Sequence, residues 1–331
     1  MLNWGATNTD NETIQYCFPN NELSCTKNVK PGAEYIMMYI FISTVSVFTV
    51  FLNLLVIISI AHFKQLHTPT NVLILSLAVA DLIVGLIVTP VQGIKLIEPC
   101  WFFGEIFCSI FHFIFYVVTT ASLGNLIVIS VDRYIAVIDP LRYPARVNTN
   151  KAVFSVVVNW VFNCIYSFFL LYESIIYPEK NHTCIGECML IIKLGYIITD
   201  VIVTLVTPCC LIISLYMKIC FVAKHQAEHI NSLLDKKVKS EKKAARTLGV
   251  VVMVYLLCWI PYYIAALTLG QDTDDSLVIN IMYWILCMNS CLNPLIYAMF
   301  YRWFRISTKY ILTLKIFEPS SKYLNLFMQE K

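Results

Sequence analysis

Long apolar stretches alternate with short polar ones along this chain, and the apolar stretches have the length of membrane spans. A window of about 19 residues separates seven of them: residues 35–61, 70–95, 105–138, 151–174, 191–222, 247–269 and 277–300. About 20 apolar residues cross a hydrocarbon core as a helix. Polar positions inside these runs are few, so the runs have no polar face to show to water, and a soluble all-α core is a poor reading. The pattern predicts an all-α fold, a seven-transmembrane helix bundle over residues 35–301. An N-terminal segment, 1–34, precedes it, and residues 302–331 follow. In that last segment Trp303, Phe304, Tyr310, Ile311 and Leu314 alternate with Arg302, Arg305, Lys309 and Lys315, which predicts a short amphipathic helix on the membrane surface.

Composition agrees with the pattern. Of 331 residues, 58% are apolar and only 14% charged, against about 25% charged in a soluble domain, and the mean hydropathy is +0.70. Those values exclude a disordered chain and a basic nucleic-acid-binding domain and argue against a soluble enzyme. The net charge of +3 says little about partners, but its distribution says more. Residues 62–69, 133–151, 218–246 and 302–331 hold 19 of the 24 Lys and Arg. The positive-inside rule makes those segments cytoplasmic and the N-terminus extracellular, as in a multi-pass plasma-membrane protein. The glycosylation sequons at Asn11 and Asn181 fall on the predicted outer side. Residues 1–30 lack the apolar core of a cleavable signal. The basic stretch 224–246 predicts contact with anionic lipid at the inner surface.

Thirteen cysteines divide by location. Seven lie in spans, where they read as small packing residues. Cys17, Cys25, Cys100, Cys108, Cys184 and Cys188 lie on the oxidising outer side and are disulfide candidates. Six cysteines allow 15 pairings, among which the residues alone do not choose. No His stands at metal-ligand spacing from them, so a zinc site is the weaker reading.

Ionisable groups inside a bilayer are costly and mark function. Asp81 sits mid-span, Asp132-Arg133 ends the third span at its cytoplasmic end, and Glu173 caps the outer end of the fourth. Asp200 lies within the fifth span. Lys218 marks the inner end of that helix, which puts Asp200 roughly 27 Å above it, in the outer half of the bilayer. Thr204 shares its helix face at i+4. The outer halves of the spans hold no evident basic partner, which favours a ligand's charge over a neighbouring helix as the partner of this acid.

Several short motifs then occur in order. Asn53, Asp81 and Trp160 stand in spans one, two and four; Asp132-Arg133-Tyr134 ends span three; Cys258-Trp259-Ile260-Pro261 lies in span six; Asn293-Pro294-Leu295-Ile296-Tyr297 lies in span seven. Together they resemble the rhodopsin-like G-protein-coupled receptors across the whole chain. A longer match resembles the trace amine-associated receptors: Asn289-Ser290, Asn293-Pro294, Tyr297, Tyr301 and Trp303-Phe304 in one register, with Cys100-Trp101-Phe102-Phe103-Gly104. That resemblance implies a receptor for a small protonated amine, a trace or olfactory amine, acting through a stimulatory or olfactory-type G protein to raise cyclic AMP. Receptors for amines usually carry an Asp on span three, 18 residues before the Arg of Asp-Arg-Tyr; that position here is Phe115. The acid stands on span five instead, as in the fish branch of the family whose amine-binding Asp has moved there.

The resemblance assigns further roles. Around Asp200 it places Phe115, Tyr116 and Thr119 of span three, Trp259, Tyr262 and Tyr263 of span six and Tyr283 of span seven, whose aromatic faces attract a cation. It makes Asp81, Ser122, Asn289 and Asn293 a pocket for sodium as an allosteric ion, with no other cofactor. It makes Asp132, Arg133, Tyr134, Glu241, Tyr216 and Tyr297 the activation switch. It pairs Cys108 with Cys188 and Cys25 with Cys184, and it leaves Cys17 and Cys100 unassigned. Departures are Leu52 before Asn53, Tyr255 and Cys287, where Gly, Phe and Tyr are usual, and Val118 beside the sodium pocket. Two other classes stay in view. A transporter predicts internal repeats, and the chain shows none. A receptor for a lipid or peptide would make Asp200 structural. For an enzyme, no nucleophile–base constellation is visible.

Overall fold

The structure, a computed structural model, describes residues 15–21, 23–27, 32–177, 184–190, 192–227, 247, 249–265, 276–319, 321–324 and 326. Side chains of 223–227, 276–280 and 283 are not among those described. The described helices follow the apolar runs: α1 (Gly32–His62), α2 (Pro69–Ile97), α3 (Gly104–Ile138), α4 (Thr149–Leu170), α5 (Leu194–Val222) and α6 (Gly249–Ala265), then α7 (Ser276–Phe300) and α8 (Arg302–Leu312). Five of them, α1 to α5, are long and apolar enough to cross a membrane, and the described parts of α6 and α7 are apolar but shorter.

Local chemistry sets the ends and bends. Thr68 caps α2 by accepting the Asn71 backbone N–H, with Pro69 in the first turn, and Asn148 caps α4 by accepting from Lys151. Two helices carry one wide turn each, Val84–Val88 in α2 and Ile202–Val206 in α5. Each stands just before a proline, Pro90 and Pro208. A proline ring clashes with the carbonyl four residues back, and a wide turn relieves the clash while inserting an extra residue. Asp200 sits two residues before the wide turn of α5.

Burial runs opposite to that of a soluble protein. Phe154, Phe162 and Phe169 of α4 and Met217 and Phe221 of α5 point outward, whereas Asn53, Asp81, Asn125 and Asp200 are buried. Backbone groups are satisfied within helices and apolar side chains face out, as a lipid surround requires. α3 is the central strut: it packs on α2, α4 and α5, while α1 joins α2, α7 and α8. Polar bonds pin these contacts. Trp160 of α4 donates to Ser76 of α2 (3.0 Å), Ser76 donates to Asn125 of α3 (2.9 Å), and Asn53 of α1 donates to the Ser290 carbonyl of α7 (3.0 Å).

A roof closes the end of the bundle nearest the N-terminal segment. Three disulfides build it: Cys17–Cys100, Cys25–Cys184 and Cys108–Cys188. The Cys25 N–H donates to the Ile185 carbonyl (3.0 Å), Ile185 donates back to Leu23 (2.8 Å), and Trp101 donates to Gly186 (2.8 Å). Gly186 has φ +104°, a conformation that favours glycine, and a Cβ there would also sit tightly against Cys17 Cβ at 3.0 Å. At the opposite end α8 turns off α7 and buries Trp303 and Phe304, while Arg305 and Lys309 stay exposed. Arg305 donates to the Ala298 and Met299 carbonyls, each at 3.1 Å, and so caps α7.

Candidate ligand site

Beneath the roof lies a cavity of about 780 Å³, within the size range of small-molecule sites. Phe115, Tyr116 and Thr119 of α3 line it, as do Asp200 and Thr204 of α5. So do Trp259, Tyr262 and Tyr263 of α6. The aromatic rings form one wall: Tyr262 meets Trp259 edge-on at 6.2 Å and Tyr263 at 5.7 Å, and Phe115 meets Tyr116 edge-on at 5.6 Å. Tyr283 lies on α7, but its side chain is outside the described residues.

Asp200 is 7% exposed. Tyr166 of α4 donates its hydroxyl to Asp200 Oδ1 at 2.8 Å. Thr204 donates to the Asp200 backbone carbonyl (2.7 Å), and its hydroxyl pairs with that of Tyr263 at 2.6 Å. The neighbouring-helix partner is therefore a neutral phenol, and the ion pairs among the described residues do not include Asp200. Glu173, by contrast, is exposed and receives a hydrogen bond from Lys193 at 2.6 Å, a pair that also holds the Lys193 ammonium above its usual range. Two residues that line the cavity carry no signal in the seven-span pattern. Lys95, at the outer end of the predicted span 70–95 and outside the four cytoplasmic basic segments, is inside α2 and faces the cavity, and His112 of α3 stands beside it.

Below Trp259 a second, small cavity of about 20 Å³ touches Thr119, Ser122, Asn289 and Ser290. It has room for about one water-sized particle. Asn293 donates to Asp81 Oδ2 at 2.8 Å. Asp81 Oδ1, Ser122 Oγ, Asn289 Oδ1 and Asn293 Oδ1 are buried and have no hydrogen-bond partner among the described residues. Buried oxygens left unpartnered are costly, and a set of oxygens with one carboxylate fits a hard cation.

At the far end Asp132 and Arg133 form a buried pair, Nη2 to Oδ2 at 2.6 Å. Thr70 donates to Asp132 Oδ2 at 2.8 Å, and Tyr143 donates to Oδ1 at 2.7 Å. Burial, with the Asp132 charge beside it, pushes the Tyr143 phenol up to about 12, so it remains a donor at neutral pH. Tyr134, next in the motif, packs on the small apolar cluster of Val137 and Ile219. The Tyr216 ring lies against Gly249, where a Cβ would meet Cε1 at 2.7 Å, so a larger residue at 249 would have to displace the ring at this contact of α5 with α6. Tyr297 is fully buried against Tyr301. Glu241, Asn11 and Asn181 lie outside the described residues.

Contrary to the expectation that no histidine stands at ligand spacing from the outer cysteines, His112, one helical turn after Cys108, joins Cys108 and Cys188 in a cluster of metal-binding residue types, but both sulfurs belong to one disulfide and offer no thiolate.

The sequence profile described as 7 transmembrane receptor (rhodopsin family) matches residues 52–297. Trace amine-associated receptor 13c of Danio rerio is 38% identical over 332 residues, covering 95% of this chain and 96% of that receptor. Trace amine-associated receptor 5 of Mus musculus is 36% identical over 324 residues, with 94% and 95% covered. Trace amine-associated receptor 7e of Rattus norvegicus is 40% identical over 334 residues, with 95% and 92% covered.

Proposed function

We propose, for a chain that belongs to the rhodopsin family of seven-transmembrane receptors and within it to the trace amine-associated receptors, that its ligand is a small protonated amine held by Asp200. The chain is a multi-pass plasma-membrane receptor and not an enzyme. In the orientation that the Lys and Arg distribution supports, the disulfide-bonded roof faces outside, with any sugar at Asn11 and Asn181 there too. Residues 1–34 then stand outside, 35–301 form the bundle, and 302–331 lie at the cytoplasmic surface.

One observation carries the ligand reading: a buried carboxylate opens onto a roofed, aromatic-walled cavity and meets only neutral partners among the described residues. An alkyl amine, with a pKa near that of Lys, about 10.4, is a cation at neutral pH. Its ammonium supplies the counter-charge, with charge-assisted hydrogen bonds, and the rings of Phe115, Tyr116, Tyr262 and Tyr263 hold its apolar body. Trp259 forms the floor.

Signalling is a two-state equilibrium that the ligand shifts by binding one state better. The closed state holds Arg133 on Asp132, with Glu241 as a second acidic partner from the sixth span. Release of Arg133 lets α6 move away from α5 at the Tyr216–Gly249 contact and admits a heterotrimeric G protein of the stimulatory or olfactory type. Tyr216 and Tyr297 then stabilise the open form. Sodium at Asp81, Ser122, Asn289 and Asn293 favours the closed one. Basic residues of 224–246 and α8 rest on anionic lipid.

The test is an amine panel on cells expressing the full chain, with cyclic AMP as readout and neutral alcohols of the same shape as controls. Amines should raise cyclic AMP and the alcohols should not. A response to lipids or peptides with none to amines would overturn the reading.

A further inference from the structure

A lysine inside a transmembrane bundle is costly unless a counter-charge or strong acceptor meets it. Lys95 stands on the last turns of α2 and lines the same cavity as Asp200. Its Nζ is 3.2 Å from His112 Nε2. His112 is 7% exposed, and its Nδ1 is 2.8 Å from the Cys108 backbone carbonyl. A carbonyl only accepts, so Nδ1 carries the imidazole proton and Nε2 is left to accept from the ammonium. The disulfide of Cys108 anchors the histidine, and the histidine aims the lysine. One ammonium hydrogen of three is used in that bond. Gln92, three residues earlier on α2, lines the cavity beside it.

The acids nearby are differently placed. Glu98 accepts the hydroxyls of both Tyr35 and Tyr39 at 2.5 Å. Glu187 lines the mouth from the roof loop, half-buried and within Coulombic range of Lys95. Along α3, His112 lies one turn above Tyr116, about 6 Å of rise, and Tyr116 is within Coulombic range of Asp200. The cavity thus has an acid on α5 and a base on α2, at different depths.

We propose that Lys95, positioned by His112, is an anion subsite, and that the receptor takes amines carrying a carboxylate at the far end, zwitterions such as ω-amino acids, and disfavours diamines. This rests on the reading that Asp200 takes the ammonium. The carboxylate end meets Lys95 and Gln92. A second ammonium placed there meets a fixed cation instead.

The test compares pentylamine, pentane-1,5-diamine and 5-aminopentanoate on the full-length receptor in cells, as concentration–response curves with surface level measured in parallel. These three share one chain and differ only at the far end. In the wild type 5-aminopentanoate should be the most potent and the diamine the least. Lys95→Met should cost 5-aminopentanoate about tenfold to a hundredfold, the usual size of a lost hydrogen bond to a charged group. It should leave pentylamine unchanged and improve the diamine. Lys95→Gln neutralises the same charge with a polar side chain, and Lys95→Arg should keep the wild-type order. The proposal is overturned if the diamine leads in the wild type. It is also overturned if Lys95→Met shifts all three ligands equally, or if Glu187→Gln reproduces the Lys95→Met pattern, which would make the lysine a loop anchor. Asp200→Asn separates the two readings. Loss of all three responses there upholds the ammonium site whatever Lys95 does, and an unchanged response there removes it.

Discussion

Replacing Asp200 by Asn keeps the side-chain size and removes one charge. Tyr166 can still donate to the amide oxygen as it does to Oδ1 at 2.8 Å, and Thr204 bonds the backbone carbonyl, which is unchanged. No basic group among the described residues is ion-paired with Asp200, so the empty receptor loses little and should reach the surface at near wild-type levels. The amine complex loses much more. Its ammonium sits in a roofed, aromatic-walled cavity with no counter-charge at that depth, and breaking a buried pair by removing one partner costs about 3–5 kcal/mol. At about 1.4 kcal/mol per decade, potency should fall by roughly two to three and a half orders of magnitude. The assay is a concentration–response curve for the best amine of the panel, with surface receptor quantified by an extracellular tag. Potency equal to wild type at equal surface level would refute the counter-ion assignment. A drop in surface level alone would show instead that Asp200 supports folding.

Three further substitutions probe other parts of the molecule. Asp81→Asn should abolish any effect of sodium on agonist affinity, read by agonist binding with and without the ion; agonist affinity independent of sodium in the wild type would remove the pocket. Tyr143→Phe deletes the donor at 2.7 Å from Asp132; a hydrogen bond to a charged group is worth about 1.5–3 kcal/mol, so ligand-free signalling should rise several-fold, and unchanged basal cyclic AMP would show that Tyr143 does not hold the closed state. Cys25→Ser opens the bridge to Cys184 and loosens the roof; loss of a native bridge costs about 2–5 kcal/mol in small secreted domains, so surface level or agonist response should drop, and peptide mapping that finds Cys25 as a free thiol in the wild type would contradict the pairing.

Much of this was legible in the sequence because the bilayer imposes simple rules. Runs of about 20 apolar residues could only be spans, and a lone carboxylate such as Asp200 within one stood out against them. The side chains lining the cavity with it, Phe115 and Tyr262 among them, came from motif resemblance, which fixes helix register. What escaped was set by packing between helices. Lys95 closes the predicted span 70–95 and reads there as a charge at the water-facing end, yet α2 continues to Ile97, and its wide turn at Val84–Val88 re-aims everything beyond it. Tyr166 has no motif, and only the packing of α4 beside α5 brings its hydroxyl to Asp200. The pairing of Cys17 with Cys100 depends on how the N-terminal segment folds over the bundle, which local pattern does not encode. The contact of Tyr216 with Gly249 is likewise invisible until α5 and α6 are side by side.

An experimental structure of the receptor with its most potent amine tests the central claim most directly. The ligand nitrogen should lie about 2.7–2.9 Å from a carboxylate oxygen of Asp200, the length of a charge-assisted bond, with its body against Phe115 and the tyrosines of α6. A nitrogen placed instead at Glu173 or Glu187, with the Asp200 carboxylate still held by Tyr166 and other neutral hydroxyls, would contradict it.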